Sequence, residues 1–515
     1  MKKIVLLPLD ERPCTYNYPM LLGKMAKDVE IVNIKRDYLG KKKQAPDLKK
    51  IDEYLINSCV DADYLVIAID TLLYGGILPS RLHYKKEEEL EERLSLLKKL
   101  KGKNPKLKIF AYHLIMRCPS YSSNDEEPDY YILCGEQIHN LGKYEHLSEI
   151  RSLSEEEEKK YQEIKKFIKD NNYQNYVDDY LKRRNINTNL NNKSVDLVKE
   201  NIIDFLIIPQ DDSAPYGYTA KDQIKVRSHI QNLRLDLKVL MYPDADAVTN
   251  TLLARAINDL NKFKPKVFVR YASSTNGNLV PLYEDRNVSE SIKYQIMAAG
   301  GLNVYDYSLA DMILMVNIPG YDMQEAVNQK NNYLQYSVFR NLVEYVEFID
   351  YLVKEKKTVI VADIAYANGG DLLLLSMLKE KNLLYKVNAY AGWNTSANTL
   401  GTCIPHGMIN HIYKDSQAHL DFLALRYLED LGYMSVVRNK IFQEISKEGM
   451  NWFTIDGKRG KVSKRIWKAL NEFAQENLNT LEYEVEIIDN FQPWERMFET
   501  ELVVKLNKKD LVKMI

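Results

Sequence analysis

Ten short, continuously apolar runs set the terms for this chain. They are Ile4–Leu9, Val29–Ile34, Tyr64–Ile69, Leu107–His113, Phe205–Gln210, Lys238–Tyr242, Val267–Tyr271, Met312–Asn317, Thr358–Asp363 and Val387–Trp393. Most do not alternate polar with apolar residues. A strand can carry such a run only if both of its faces are covered, as in a parallel sheet packed between helices. The segments between the runs have helical periodicity, for example Glu87–Lys101 and Val248–Asn261. Strand–helix alternation predicts the α/β class. Two architectures satisfy it: a (β/α)8-type barrel, or paired doubly wound domains. Both place ligands at the carboxyl ends of the strands.

The chain divides on style into three parts: an N-terminal α/β part over 1–264, a second α/β part over 265–407 that completes the site, and a mostly helical C-terminal cap over 408–515 with a short β pair. A charged helical insertion at about 140–200, with the run Glu155–Glu158, reads as a solvated helical excursion. Two stretches also share one pattern, an ancient duplication or simply shared α/β grammar. Asp10-Glu11-Arg12 is followed by a helix, a strand, and then Ala62-Asp63 before a buried strand. Glu284-Asp285-Arg286 is followed by a helix, the strand Leu302–Tyr305, and then Ala310-Asp311 before a buried strand.

Charge and cysteine usage narrow the class further. The formal net charge is −1, so no basic field recruits nucleic acid or anionic lipid. The opening run Ile4–Leu9 is too short for a signal peptide, and no stretch approaches the roughly 18 apolar residues of a membrane helix. The five cysteines are odd in number and form no CxxC pair, which predicts reduced thiols. The expectation is a cytoplasmic protein with no membrane and no nucleic-acid partner.

The polar residues that end the apolar runs point to function. Asp10, Glu11 and Arg12 follow the first run, Asp70 the third and Arg117 the fourth. Asp211 and Asp212 follow the fifth, and Asp244 and Asp246 the sixth. Arg270 with Ser273–Asn276, then Asn317, Asp363 and Trp393-Asn394, end the later ones. Desolvated carboxylates repel, so such a set needs a cation, a hydrogen-bonding ligand or raised pKa values. Asp246 also suits a helix cap.

Asp211-Asp212 carries the sharpest signal. Two neighbouring carboxyls suit acid–base work, because each raises the other's pKa and one can hold a proton near neutrality. Successive strand residues face opposite ways, so the reading requires the strand end to splay both to one side. The pair resembles that of retaining hexosaminidases in which one Asp orients the substrate's acetamido group and its neighbour acts as acid/base. Trp393-Asn394 is the second signal: a flat apolar face beside an amide suits a sugar ring, and a core Trp beside a helix cap is the alternative. No HExxH, Walker or GxSxG motif occurs. No metal ligands are assigned and no cofactor is expected, although Asp211, Asp212, Asp244 and Asp246 could hold a divalent cation.

Leu7-Pro-Leu-Asp-Glu-Arg-Pro-Cys14, Tyr283-Glu-Asp-Arg286, Gly392-Trp-Asn-Thr395 and Asn398-Thr-Leu-Gly401 resemble motifs of a bacterial family known as domain of unknown function 4127. The resemblance runs nearly the whole chain. It implies one full-length unit and brings no catalytic residues with it.

The functional expectation is a glycoside hydrolase acting on a small or oligomeric sugar, N-acetylated or not. Asp211 and Asp212 are its catalytic pair. Asp10, Glu11, Arg12, Asp70, Arg117, Asp244, Arg270, Asn317, Asp363, Trp393 and Asn394 are its substrate-binding set. The alternatives are a metal-assisted hydrolase, lyase or isomerase of small acids clamped by arginines, and a non-catalytic cytoplasmic ligand-binding protein. Sequence does not decide the oligomeric state.

Overall fold

The computed structural model describes residues 1–509 except 276, 332 and 415; the expected site position Asn276 therefore lies outside the described residues. All ten apolar runs contain β-strands, and both large sheets are wholly parallel. The chain falls into two compact units. One comprises residues 1–11, 28–249 and 283–285; the other comprises 12–27, 250–282 and 286–515.

The first unit holds β1 (Lys2–Leu7), β2 (Val29–Asn33), β3 (Tyr64–Ala68), β4 (Lys108–Tyr112), β5 (Phe205–Gln210) and β6 (Val239–Pro243), in the order β2-β1-β3-β4-β5-β6. β3, β5 and β6 are buried at every position, as two-sided coverage requires. The second unit holds β7 (Lys266–Tyr271), β8 (Leu302–Val304), β9 (Met312–Asn317), β10 (Gln324–Glu325), β11 (Thr358–Asp363), β12 (Tyr366–Ala367) and β13 (Ala389–Ala391). Its main sheet runs β13-β11-β9-β7-β8, with β10 and β12 paired separately. The C-terminal hairpin β14 (Tyr483–Phe491) and β15 (Glu501–Lys508) also belongs to this unit.

Counting strands within each unit, both main sheets share one plan: second, first, third, fourth, fifth. The repeat glimpsed in the sequence is thus matched in strand order. It is matched again in a small device at the amino ends of the strands. Asp63, just before β3, accepts the Lys3 N–H of β1 at 2.9 Å, and its own N–H donates to the Lys3 carbonyl. Asp311, just before β9, does the same with Lys266 of β7 at 2.8 Å. Asp204 before β5 holds Ile109 of β4 at 2.8 Å, and Asn388 before β13 holds Val359 of β11 at 2.9 Å. In each case a short polar side chain accepts an N–H from the first or second residue of the neighbouring strand, where the ladder begins. The clasps fall between the first and third and between the fourth and fifth strands of both units.

The insertion folds as three helices, Tyr131–Ile150, Glu155–Asp170 and Gln174–Lys199, between β4 and β5. The acidic run Glu155–Glu158 is the first turn of the middle helix. Ser154 and Glu157 cap it reciprocally, and the negative charge suits the helix's amino end. The middle helix is the solvated excursion expected: Ile168 is its single buried residue. The last helix is different. It buries twelve residues, Arg183, Arg184, Asn187 and Asn191 among them. Tyr131, Cys134, Ile138, Val177 and Tyr180 form a core with Met116 and Tyr218.

Residues 408–515 share their unit with 286–407, and position 408 falls inside the helix Ser396–Ile412 despite Pro405. No helix among the described residues is long and apolar enough to cross a membrane.

Removing the clasp should weaken either unit. Asp63→Ala and Asp311→Ala are each expected to cost about 1 kcal/mol, whereas the Asn variants keep an acceptor, as Asn388 shows, and should cost less. Urea unfolding midpoints of the four variants check this.

Candidate functional site in the first unit

In the first unit the chain starts at β1, steps to β2 on one side and then to β3 on the other. The carboxyl ends of β1 and β3 therefore diverge at a topological switch point, where open α/β sheets bind ligands. The backbone there is closely packed. Gly76 has φ +139°, and a Cβ on it would lie 3.2 Å from the Leu9 carbonyl, so glycine lets the segment after β3 come up against the end of β1. Thr71 Oγ1 donates to the Pro8 and Leu9 carbonyls at 2.7 Å each.

Asp70 ends this segment's approach to the site and is 3% exposed. Its Oδ2 accepts the Leu114 N–H at 3.0 Å. Burial pushes its pKa up to about 7; the Leu114 N–H and Arg81 oppose the shift, and the Asp211 charge adds to it. Asp70 lines a small cavity together with Ile77, Ser80, Arg81, Asn187 and Asp211 and the strand extension Leu114–Arg117.

Two buried arginines organise the carboxylates around that cavity. Arg81, on the short helix Ile77–Leu82, donates to Asp211 at 2.5 Å, Glu126 at 3.2 Å and Glu127 at 3.3 Å. Arg117 donates through Nε to Glu127 at 2.8 Å, through Nη2 to Glu126 at 2.8 Å and through Nη1 to Asp212 at 2.9 Å. Asp211 and Asp212 thus engage different arginines that share the same two glutamates. The splay required of the strand end is present: Asp212 adopts φ +44°, which breaks the alternation after β5. Burial, and then the Asp211 charge, raise the Asp212 pKa, while the Arg117 and Arg81 charges pull it down.

The last insertion helix holds this arrangement in place. Beyond β4 the chain still bonds to β5 through the His113 and Ile115 N–H groups, but it leaves the regular ladder and several carbonyls of 113–117 turn away from the sheet's backbone donors. Buried carbonyls need donors, and side chains supply most of them. Tyr180 Oη and Arg184 Nη1 donate to the Arg117 carbonyl at 2.9 and 2.8 Å, and Asn191 donates to the Leu114 carbonyl at 3.2 Å. Asn187 donates to the Ser80 carbonyl at 2.9 Å, one residue before Arg81. Arg184 is itself paired with Asp222 at 2.6 Å.

Other expected site residues of this unit have local duties. Glu11 Oε1 accepts the Lys42 N–H at 2.9 Å and its carbonyl accepts Arg36, so it shapes the turn after β2. Asp244 Oδ1 accepts the N–H groups of Ala245 and Ala247, an Asx turn after β6. Asp10 is buried past the end of β1. Asp10, Asp70 and Asp244 all lie close enough to act electrostatically on the Tyr112 hydroxyl, whose pKa is raised mainly by burial.

The remaining expected residues lie in the second unit, where the strand ends form a separate buried network. Asn317 donates to Asp363 at 2.8 Å and to Asp371 at 3.1 Å. Arg340 donates to Asp371 at 2.6 Å and to Asn317 at 2.8 Å, and Tyr390 donates to Asp363 at 2.7 Å. Burial and then the Asp371 charge raise the pKa of Asp363. Asp430, on the π-helical stretch Tyr427–Val437, accepts the Gly392 N–H at 2.7 Å, and burial pushes its pKa up to about 7 against the pull of Arg426. Trp393 is 6% exposed, stands edge-on to Tyr18 and donates through Nε1 to Thr402 at 3.1 Å. Asn394 takes φ +53° and donates to Asn398 beside the helix cap at Thr395. The guanidinium of Arg12 lies 4.8 Å from the Trp494 ring. Arg270 is partly exposed, pairs with Glu344 and covers Phe348. Among the described residues no group of three or more His, Cys, Asp or Glu side chains is placed to hold a metal ion.

Sequence reasoning missed Arg81, Glu126 and Glu127. Arg81 had a faint signal, as the one charge in the stretch Ile77–Leu82 after a Gly-Gly turn. Glu126-Glu127 had none, because an acidic pair in a loop reads as solvated surface. The comparisons add a frame without a function. A family model matches residues 4–503, and its description is a protein of unknown function. No curated protein matches the chain.

Two outcomes follow from these geometries. Arg117→Ala leaves Glu127, which is 1% exposed, without its closest partner; about 3–5 kcal/mol of destabilisation is expected, measured by urea unfolding, with Arg117→Lys intermediate. In the second unit, the raised folded pKa of Asp430 means that its stabilising share is complete below the unfolded value near 4 and is lost as pH rises through about 7. Unfolding at pH 5 and pH 8 should show that loss in the wild type and a shallower one in Asp430→Asn.

Proposed function

The chain belongs to the DUF4127 family of proteins of unknown function, and from that premise we propose that its first unit is a glycoside hydrolase site built as one of a pair of doubly wound lobes. The substrate is a small or oligomeric sugar, N-acetylated or plain. Asp212 exchanges the proton, and Asp211 orients the substrate.

The observation that carries this reading is the Asp211-Asp212 pair, turned to one buried arginine–carboxylate cluster by the left-handed Asp212, with the Asp212 carboxyl displaced toward its protonated form. Both carboxyls are ion-paired, Asp211 to Arg81 and Asp212 to Arg117, and the different surroundings of the two like groups separate their roles. The small cavity beside Asp211 mixes apolar walls (Ile77, Leu114, Ile115) with Asp70, Ser80, Arg81 and Asn187, so polar and apolar groups face one space at these strand ends. A carboxylate clamp of small acids is less well supported. Arg81 and Arg117 are already engaged by four protein carboxylates and orient those groups.

Purified protein assayed on a panel of aryl glycosides, N-acetylglucosaminides and N-acetylgalactosaminides included, tests the proposal. Turnover is expected, with a loss of at least about 100-fold in Asp212→Asn and substrate binding retained. Unchanged turnover in both Asp211→Asn and Asp212→Asn, or no turnover of any glycoside, would overturn it.

A further inference from the structure

Asp70 is among the most buried carboxyls of the first unit, yet only one other residue bonds to it. Oδ2 takes the Leu114 N–H at 3.0 Å, the residue's own backbone N–H adds to this, and no other described residue donates to the carboxyl or forms an ion pair with it. A buried ionised carboxylate normally gathers several donors or a cation. Asp70 has gathered neither, although Arg81 is close by and bonded instead to Asp211, Glu126 and Glu127. The residue also sits where it can meet a ligand, at the switch point of the sheet and on the wall of the cavity that Asp211 shares.

We propose that Asp70 is the proton donor of this site, carrying its proton on the carboxyl that no cation pairs and delivering it to the oxygen that leaves the sugar. The inference rests on the glycosidase reading for its reaction and on Asp70's surroundings for its proton. Cleavage of a glycosidic bond by carboxylates needs two of them in different states, one protonated and one ionised. Asp212, held by the Arg117 guanidinium at 2.9 Å, is the better base. Asp70, with no ion pair, is the better acid. As the bond from the anomeric carbon to the leaving oxygen breaks, that oxygen takes the Asp70 proton. Water forms the new bond to the anomeric carbon and passes its proton to Asp212. One water is added overall, and exchange with solvent returns the two carboxyls to their starting states.

The groups that face Asp70 set when it titrates. Arg81 from the 77–82 helix favours the ionised form, Asp211 from beyond β5 opposes it, and the hydroxyls of Tyr112 on β4 and Tyr74 at the end of the 69–73 helix are neutral neighbours. Burial outweighs Arg81, so the proton is kept until about pH 7.

Two measurements test this, one of them independent of activity. In protein labelled with 13C at Asp carboxyls, the wild type should show a carboxyl resonance that titrates near neutrality and vanishes in Asp70→Asn, a variant that keeps an acceptor for the Leu114 N–H. A resonance assigned to Asp70 that stays ionised down to pH 5 would overturn the inference, whatever the activity. If Asp70→Asn fails to fold, as judged by circular dichroism, Asp70→Glu, labelled at both Asp and Glu carboxyls, takes its place: the neutral-titrating resonance should move to the Glu region, and its persistence unchanged at an Asp would overturn the assignment. The second measurement is leaving-group dependence. Asp70→Asn should lose 100-fold or more in kcat/KM on alkyl glycosides and less than tenfold on dinitrophenyl glycosides, whose leaving groups need no acid. An equal loss on both overturns the role. A wild type silent on every glycoside, with Asp70 still titrating near neutrality, sinks the glycosidase reading and supports the buried acid.

Discussion

The ion pairs between Arg81, Arg117 and the carboxylates around them hold the first unit's strand ends in a workable state. Without the two guanidiniums, Glu126, Glu127, Asp211 and Asp212 would stand as four carboxylates in and beside a desolvated cleft, a configuration electrostatics does not allow. The arginines depend in turn on the backbone that carries them. Arg117 lies beyond the end of β4, and its carbonyl is fixed by Tyr180 and Arg184 from the insertion. A helix that begins in an exposed, charged excursion thus ends as part of the frame of the site.

The two units show how one plan can be used in two ways. They share strand order and the same pair of amino-end clasps. Their carboxyl ends differ. In the second unit Asn317, Arg340, Asp363, Asp371 and Tyr390 bond to one another in the interior. Such a network is costly to break and contributes specificity more than net stability. In the first unit the corresponding strand ends border a small cavity, and one buried carboxyl on its wall, Asp70, has no ion pair. Asp211 lies seven positions after its clasp residue Asp204 and Trp393 five after Asn388, each just past the fifth strand of its sheet. The two strongest sequence signals, Asp211-Asp212 and Trp393-Asn394, therefore mark the same strand end in the two units.

Strand positions were legible because a two-sided buried strand leaves little choice of residue: Tyr64–Ala68 and Phe205–Gln210 carry apolar side chains at nearly every position, and no helix surface would tolerate them. Asp63 and Asp311 were legible as Asp before a strand, and the acidic strand ends as candidates for chemistry. The roles of those ends were less legible. Arg270, Trp393 and Asp244 look alike in sequence to Arg117 and Asp70, yet the first pairs at the surface, the second fills the core and the third closes a turn.

What the chain's order of residues determined by itself is the α/β class, the ten strands, the repeat and the set of polar residues at their carboxyl ends, since each follows from local periodicity and from the residue types that burial permits. Tertiary structure alone decided which of those polar residues share a cluster. Arg81 meets Asp211 across 130 positions, and Arg117 meets Asp212 across 95. Ion pairing and desolvation act through space over a few ångströms, and nothing in local sequence encodes which distant charge will occupy that distance.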